Sequence, residues 1–540
     1  MRQAERTSAT LRNVGIIVII SLAVLFGYVV YQATQFDALS SVEAIDIAQV
    51  ARNYASGEGF TTNWVRPLTL VVSNSLGQHH ELTQAPLQPV VEAGFFTLFG
   101  ASDRVASWTS GICFLLGVGL TFLLAYRVFN LQTALIAMVL VATDTALLNY
   151  SISGLESSLL TMLVTLTFLI LYLHHEKEHA RWWLSGIAGI LAGLIYLTSY
   201  VWFVAWIPIL LVIWFNSDPK KRLRHAAIFA LLSILICLPW FIRNYNLTGN
   251  PVFSFRWTEA VMNTYSYSAN TLARTYEEAP TGLLSFAIEA PREVYRKMRT
   301  GVLNLRSVIA NIGGPFVSAF FWVAILVPLG GIAFDRIRKA SYALFVLVGL
   351  VLVFLGPDPR ILVPLAPLVT VTAVGLFLQM LNRRTRDLGS RRQGRWRTIG
   401  IGLLVAVHVI PLMFVMVEGL PTYYTEADTL RRATNELDTM LQPEEPVITD
   451  VPWVFAWYSD RPAVWLPVRP VDIRRIEEKV GQIDHMALTP GIMQNAEQEK
   501  NTDWARTWRR ALQEDVTYAG WRVEQRMASV PWVLFRRISE

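Results

Sequence analysis

The sequence predicts an α-helical polytopic membrane protein of about eleven transmembrane helices, followed by a soluble α/β domain on the non-cytoplasmic side. Three observations lead there. Charged residues make up 16% of the chain and hydrophobic ones 53%, with a mean hydropathy of +0.38, whereas soluble domains carry about 25% charged residues. Apolar runs of about 20 residues recur, the length at which a helix spans a bilayer with every backbone group bonded inside its own segment. The basic clusters between these runs all fall on one side of the resulting topology, as the positive-inside rule requires.

The elements follow in order. Arg2, Arg6 and Arg12 precede the first run, Asn13 to Gln32, and place the N-terminus in the cytoplasm. That run is longer than the apolar core of a signal peptide and lacks a small-residue cleavage site, so it reads as a retained helix. A polar outer loop covers 33–104. Span two, Val105 to Tyr126, returns to Arg127 inside, and span three covers Leu131 to Leu148. The short turn Asn149 to Gly154 leads into span four, which ends near Tyr172 before a cytoplasmic loop from His174 to Arg181. Spans five and six form a hairpin broken at Thr198-Ser199-Tyr200 and return to Lys220-Lys221-Arg222-Leu223-Arg224. Span seven ends outside at Pro239-Trp240, and a second outer loop covers 243–311. Span eight runs from Gly314 to Phe334, with Arg336, Arg338 and Lys339 inside. Span nine exits at Gly356-Pro357-Asp358-Pro359-Arg360, and span ten ends at Asn382 before a loop to Arg397 holding seven arginines. Span eleven, Thr398 to Val417, leaves the membrane for the last time.

The transmembrane domain is thus 1–417, and 418–540 is a soluble extracytoplasmic domain. Its apolar runs shorten to strand length at Pro446 to Thr449, Ala463 to Leu466, His485 to Leu488 and Trp532 to Phe535. Helix-like stretches lie between them, around Asp472 to Val480 and Thr502 to Glu514, and this alternation indicates an α/β layer structure. No internal repeat or low-complexity tract is visible. The net charge of +6 comes from loop clusters and does not imply nucleic-acid binding. Cys113 and Cys237 both lie in apolar runs and read as small core residues.

Chemistry is expected in the two outer loops, since loops on a rigid scaffold commonly carry function. Glu43 to Phe60 contains a partly amphipathic helix expected to lie along the membrane. Its Glu43 and Asp46 are three apart, so both carboxylates share one face; paired carboxylates at a low-dielectric surface can act as base or metal ligands, or simply be a solvated face. Glu156 opens span four at the outer surface, where an ionisable group is either functional or in contact with water. Asp144 ends span three in a similar setting. His79-His80-Glu81 could ligate a metal or be solvated. Arg243 and Arg360 stand at outer helix ends, where an arginine either grips a phosphate through its fork or snorkels to headgroups. Arg66 in the first loop is a further binding candidate.

Five segments, taken together and in order over residues 10 to 380, resemble the GT-C glycosyltransferases that use polyprenyl-phosphate sugars. They are Ala51-Arg52-Asn53 with Gly57-Glu58-Gly59-Phe60, Ala85-Pro86-Leu87-Gln88-Pro89, Tyr150 to Glu156, Pro239-Trp240-Phe241-Ile242-Arg243-Asn244 with Gly249-Asn250-Pro251, and Pro359-Arg360 to Pro367. The nearest relatives in pattern are the protein mannosyltransferases and aminoarabinose transferases. The resemblance implies a sugar donor on a polyprenyl phosphate and a glycan, lipid or protein acceptor. It implies a carboxylate in the first loop as base, arginines on the lipid phosphate, and Asn53 and Asn244 among the binding residues. A divalent metal is compatible with it, and no nucleotide-binding loop is needed. The family usually carries adjacent acids in the first loop, whereas here Val42 precedes Glu43 and the acids are spaced Glu43 and Asp46, with Asp37 a third candidate for the base. The competing readings are a transferase of another lipid-linked group, a transporter and a non-catalytic scaffold. Transporters show paired inverted repeats with broken helices, and the sequence displays neither.

Overall fold

The computed structural model describes residues 2–176, 181–276, 282–329, 331–418, 427–442, 444–499 and 503–538. The expected cytoplasmic loop from His174 to Arg181 and the junction after Glu418 fall partly outside these residues. The chain is a multi-pass membrane protein. Among the described residues seven helices are long and apolar enough to cross a bilayer, two further pairs pass only as bent units, and Leu87–Phe99, Trp182–Thr198 and Tyr200–Asn216 are shorter apolar helices. All eleven expected stretches are therefore helical, though not all as single straight rods. Cys113 and Cys237 are buried and unpaired, as expected of core residues.

The breaks correct the expectation of uninterrupted spans. Leu131–Ala142 and Thr145–Ser151 meet at 60°, where the Asp144 side chain accepts from the Leu147 N–H at 2.9 Å and starts a new helix. Pro291–Asn311 and Pro315–Leu326 meet at 98°. The Gly313-Gly314-Pro315 junction explains that corner: both glycines have positive φ, 73° and 85°, and proline then opens the next helix. Span eight, expected from Gly314 to Phe334, ends at Leu326, and Asp335 to Lys339 belong to the following helix, Ile332–Leu355.

Helices Trp182–Thr198 and Arg222–Thr248 pack through small residues, as lipid-embedded helices do. A Cβ on Gly189 would stand 2.5 Å from the Phe229 carbonyl oxygen, and one on Gly193 2.9 Å from that of Ser233. Gly189→Ile should therefore push the pair apart and destabilise the protein by about 1–3 kcal/mol or more. A fall in thermal unfolding temperature in detergent checks this; an unchanged temperature would show that the helices separate freely.

The C-terminal region has the expected alternation, with strands β4 (Val447–Thr449), β5 (Ala463–Trp465), β6 (His485–Leu488) and β9 (Val533–Arg537), helices Val471–Val480 and Asp503–Ala511, and a hairpin of β7 (Thr517–Tyr518) and β8 (Trp521–Arg526) that the sequence reading omits. Its sheet also takes in a strand from the first outer loop. Beside β1 (Thr61–Thr62) and β3 (His79–His80), which pair with each other, that loop holds β2 (Trp64–Val65). The seven strands run β2-β5-β4-β6-β9-β8-β7, with β2 parallel to β5 in the register Trp64 to Ala463. Arg52 donates to the carbonyls of Ala456 and Trp457 and to Asp460, and buried Arg274 donates to the Leu466 carbonyl at 2.7 Å. One hydrophobic core runs through both regions, joining Ile45, Trp64 and Phe96 to Val454, Phe455 and Trp465.

The helix Val42–Ala55 sits at this seam. Ser41 caps it, accepting from the Ala44 N–H at 3.1 Å. Residues Ala44 to Ala51 and Asn53 are all buried, packed by Leu87–Phe99 and by Pro452–Tyr458. Protein wraps the helix on nearly all sides, so the expected position with one apolar face on lipid is corrected.

Candidate functional site

Two cavities lie side by side, lined by residues of the loops 33–104 and 243–311 among others. The first, about 690 Å³, is polar and is lined by Glu43, Arg66, Arg256, Glu259, Asp358 and Arg360, with Trp64, Trp453 and Trp465. The second, about 730 Å³, is apolar and is built from Phe203, Trp206, Phe241, Trp257, Leu283 and Phe354 among others. Phe255, Thr258 and Leu355 line both. The dividing wall is the 3-10 helix Phe255–Ala260, capped by the Ser254 hydroxyl, which accepts from the Arg256 N–H at 3.1 Å.

Charge in the polar cavity is set by three cations. Arg360 stands at the start of the helix after Gly356-Pro357-Asp358, where Asp358 caps the turn. It pairs closely with Asp358, and its Nη2 lies 3.9 Å from Glu43 Oε1. Arg256 is 3.9 Å from Glu259, and among the described residues its buried Nε has no hydrogen-bond partner. Glu43, in the first turn of its helix, keeps 45% of its side chain exposed to the cavity. Burial pushes its carboxyl up, but Arg360 foremost, with Arg256 and Arg66, outweighs burial and holds it below the usual carboxylate range. Glu43 is thus ionised and open to a ligand.

Asp46 lies one turn further in and is fully buried. Its Oδ1 accepts from Trp64 Nε1 at 2.8 Å, and its Oδ2 accepts from Arg66 at 2.8 Å and Gln84 at 3.2 Å. Arg66 also pairs with Glu81 at 3.3 Å and stacks over Trp64 at 3.9 Å. Burial pushes Asp46 up, and Arg66 only partly offsets this because Glu81 competes for the same cation. Burial acts on Glu81 in the same direction, but Arg66 and the backbone N–H groups of Gln84 and Thr83 prevail and hold it low. Every oxygen of this pair is engaged by protein, so the pair braces the loop.

The other expected residues are placed as follows. Glu156 is buried, with Oε2 unpartnered among the described residues, in a small void it shares with Gln88 and Arg256 rather than in the large cavity. Arg243 donates to the carbonyls of Phe60 and Glu81, each at 3.0 Å, and stacks over Trp240 at 4.4 Å; it clamps the first loop to a helix end and does not line the large cavities. Asn53 bonds Thr61 and Asn63, and Asn244 bonds the Phe253 carbonyl. His79 uses both ring nitrogens, toward Ser75 and Thr69, and burial pushes it down to about 4. His80 points the other way on the strand and is exposed, while Glu81 serves Arg66. These three donors do not converge, and among the described residues no group of three or more metal-ligating side chains does, so the metal-ligand reading of 79–81 is corrected.

Sequence reasoning missed Arg256, Glu259 and the three tryptophans. Arg256 carried a local signal, a lone cation within Phe253-Ser254-Phe255-Arg256-Trp257. The tryptophans carried none, because Trp64 meets Trp453, on the helix Pro452–Tyr458, and Trp465, on β5, only in the folded chain.

Residues 83–243 match the family described as dolichyl-phosphate-mannose-protein mannosyltransferase. A search of curated proteins gave no match. Among solved structures the chain is similar to ArnT from Cupriavidus metallidurans bound to undecaprenyl phosphate, with a TM-score of 0.55 and 14% identity over 97% of this chain and 98% of that one. It is also similar to the Archaeoglobus fulgidus oligosaccharyltransferase in complex with zinc and sulfate, at a TM-score of 0.53 and 13% identity over 86% of this chain and 67% of that one. A third is archaeal oligosaccharyltransferase AglB from the same organism, in complex with an inhibitory peptide and a dolichol-phosphate, at 0.51 and 15% over 87% and 69%.

Proposed function

We propose, from the premise of a chain with the GT-C fold, that it is an inverting glycosyltransferase using a polyprenyl-phosphate sugar and an extracytoplasmic hydroxyl acceptor. One observation carries the reading: an apolar cavity and a cationic cavity share a wall, at Phe255, Thr258 and Leu355. A molecule with a hydrocarbon tail and a phosphate head matches that pair, since tails seek apolar walls and guanidinium forks grip phosphate oxygens. The structural neighbour holding undecaprenyl phosphate and the mannosyltransferase match of residues 83–243 support it.

In this reading the tail lies along Trp206, Phe241 and Trp257, and the phosphate meets Arg256 and Arg360. Glu43 takes the proton of the acceptor hydroxyl as its oxygen attacks the anomeric carbon. The bond from that carbon to the phosphate oxygen breaks, and its electron pair leaves with the polyprenyl phosphate. The two arginines stabilise the charge that gathers there.

Arg256→Ala and Arg360→Ala should each weaken binding of radiolabelled undecaprenyl phosphate to the purified protein by about tenfold or more, since a charge-assisted hydrogen bond is worth about 1.5–3 kcal/mol. Unchanged binding in both would place the lipid phosphate elsewhere. The reading also needs the cavity and the C-terminal domain outside the cytoplasm. Reporter fusions at the C-terminus should report the outside, as the arginines at Arg12, Arg224 and Arg397 predict; a cytoplasmic signal would reverse the orientation.

A further inference from the structure

The polar cavity has two walls of different origin. Two of its arginines, Arg256 and Arg360, come from the segments that follow membrane helices, and the third, Arg66, comes from the first loop. Facing the ligand space from the outer side are three indoles, Trp64 from the first loop and Trp453 and Trp465 from the C-terminal domain. They form a closed set, with ring centroids 6.0 Å apart for Trp64 and Trp453, 5.8 Å for Trp64 and Trp465, and 5.8 Å for Trp453 and Trp465, all edge to face.

We propose that Trp64, Trp453 and Trp465 form the acceptor subsite and that the acceptor it takes presents a pyranose ring. The inference rests on the glycosyl-transfer reading above. The chemistry points to a sugar on two grounds. Indole faces carry negative charge density and pack against the C–H faces of pyranose rings; the Trp64 face is covered by Arg66, so Trp64 serves to hold Trp453 and Trp465 at fixed angles through its edge-to-face contacts. Among the described residues the Trp465 indole N–H, which is buried, has no acceptor, although Trp465 lines the cavity and is only 6% exposed. Buried indole N–H groups usually find a partner, and a sugar hydroxyl would supply one. Exposed Gln494 and Asn270 line the same cavity and add the amide groups that hydroxyls pair with.

The test uses the full chain in lipid nanodiscs and saturation-transfer difference NMR with four probes, maltotriose, cellotriose, chitotriose and a threonine-containing tripeptide. At least one trisaccharide should receive saturation at its ring C–H protons. That signal should fall about tenfold in Trp453→Leu and several-fold in Trp465→Phe, which keeps an aromatic ring but removes the N–H together with the fused five-membered ring. Binding of undecaprenyl phosphate should stay at the wild-type level in both. If Trp453→Leu does not fold, Trp465→Phe carries the test alone. Saturation of no trisaccharide, of the peptide only, or of a trisaccharide equally in wild type and variants would each overturn the proposal. Loss of undecaprenyl phosphate binding by the wild type would instead overturn the donor reading, with the sugar result standing separately.

Discussion

Glu43→Gln should leave the protein folded and lower sugar transfer by about 10²–10⁴-fold, the usual contribution of a general base. The substitution keeps the shape of the side chain and removes its charge. Glu43 is half-exposed and bonds no buried donor, so its loss strips nothing from the core. Undecaprenyl phosphate binding should survive, because the phosphate is assigned to Arg256 and Arg360. Arg360 and its neighbours hold Glu43 below the usual carboxylate range, so activity limited by this base should persist on acidification and fall only once pH drops through that lowered value. Asp46→Asn provides the contrast. Its carboxylate is already occupied by Trp64, Arg66 and Gln84, so the cost should appear in thermal stability. Transfer assayed in membranes with expression matched decides the matter. Wild-type transfer by Glu43→Gln would move the base to Asp46, Asp37 or Glu156.

Arg66→Ala should be the most damaging single change to stability at the site. It would leave Asp46 and Glu81 buried without their shared cation, and breaking a buried pair by removing one partner costs about 3–5 kcal/mol. The sign of the pH dependence follows. Without Arg66 both carboxyls would bind protons more tightly in the folded chain than in the unfolded one. The penalty is therefore small at acid pH and grows as pH rises through their raised values. Unfolding temperatures of the variant and the wild type should draw apart between pH 5 and pH 8, and Asp46→Asn in the Arg66→Ala background should recover part of the loss. Parallel curves across that range would show that the carboxylates do not depend on Arg66.

How much of this was legible in the sequence depends on the distance over which each signal acts. Membrane spans are written locally, in hydropathy and in flanking arginines, and so are β4, β5, β6 and β9, whose apolar runs stand between helical stretches. The bends at Asp144 and at Gly313-Gly314-Pro315 were present as residues, but a capping side chain inside an apolar run looks like part of the run. Glu43, Arg66 and Arg360 were singled out by type and position, and the structure brings them into one cavity. Their division of labour was not readable. Glu43 and Asp46 have the same spacing whichever of them turns to the cavity, and only the contacts of Trp64 and Arg66 separate the open carboxylate from the engaged one. β2 is two residues long, and its partner follows about 400 residues later in the chain. No window of sequence holds that pairing.

That pairing has a consequence for biogenesis. The strand Trp64–Val65 is made early in synthesis, yet the surface that completes it is made only after the last membrane helix. Contacts so distant along the chain close late in folding. A ribosome product stopped at Glu418 would have every membrane helix in place and would lack Trp453 and Trp465. Its first loop would wait with an unpaired strand, a segment open to proteolysis and to non-native pairing. On the glycosyl-transfer proposal, such a product would hold Glu43, Arg256 and Arg360 without the two C-terminal indoles of the cavity they line.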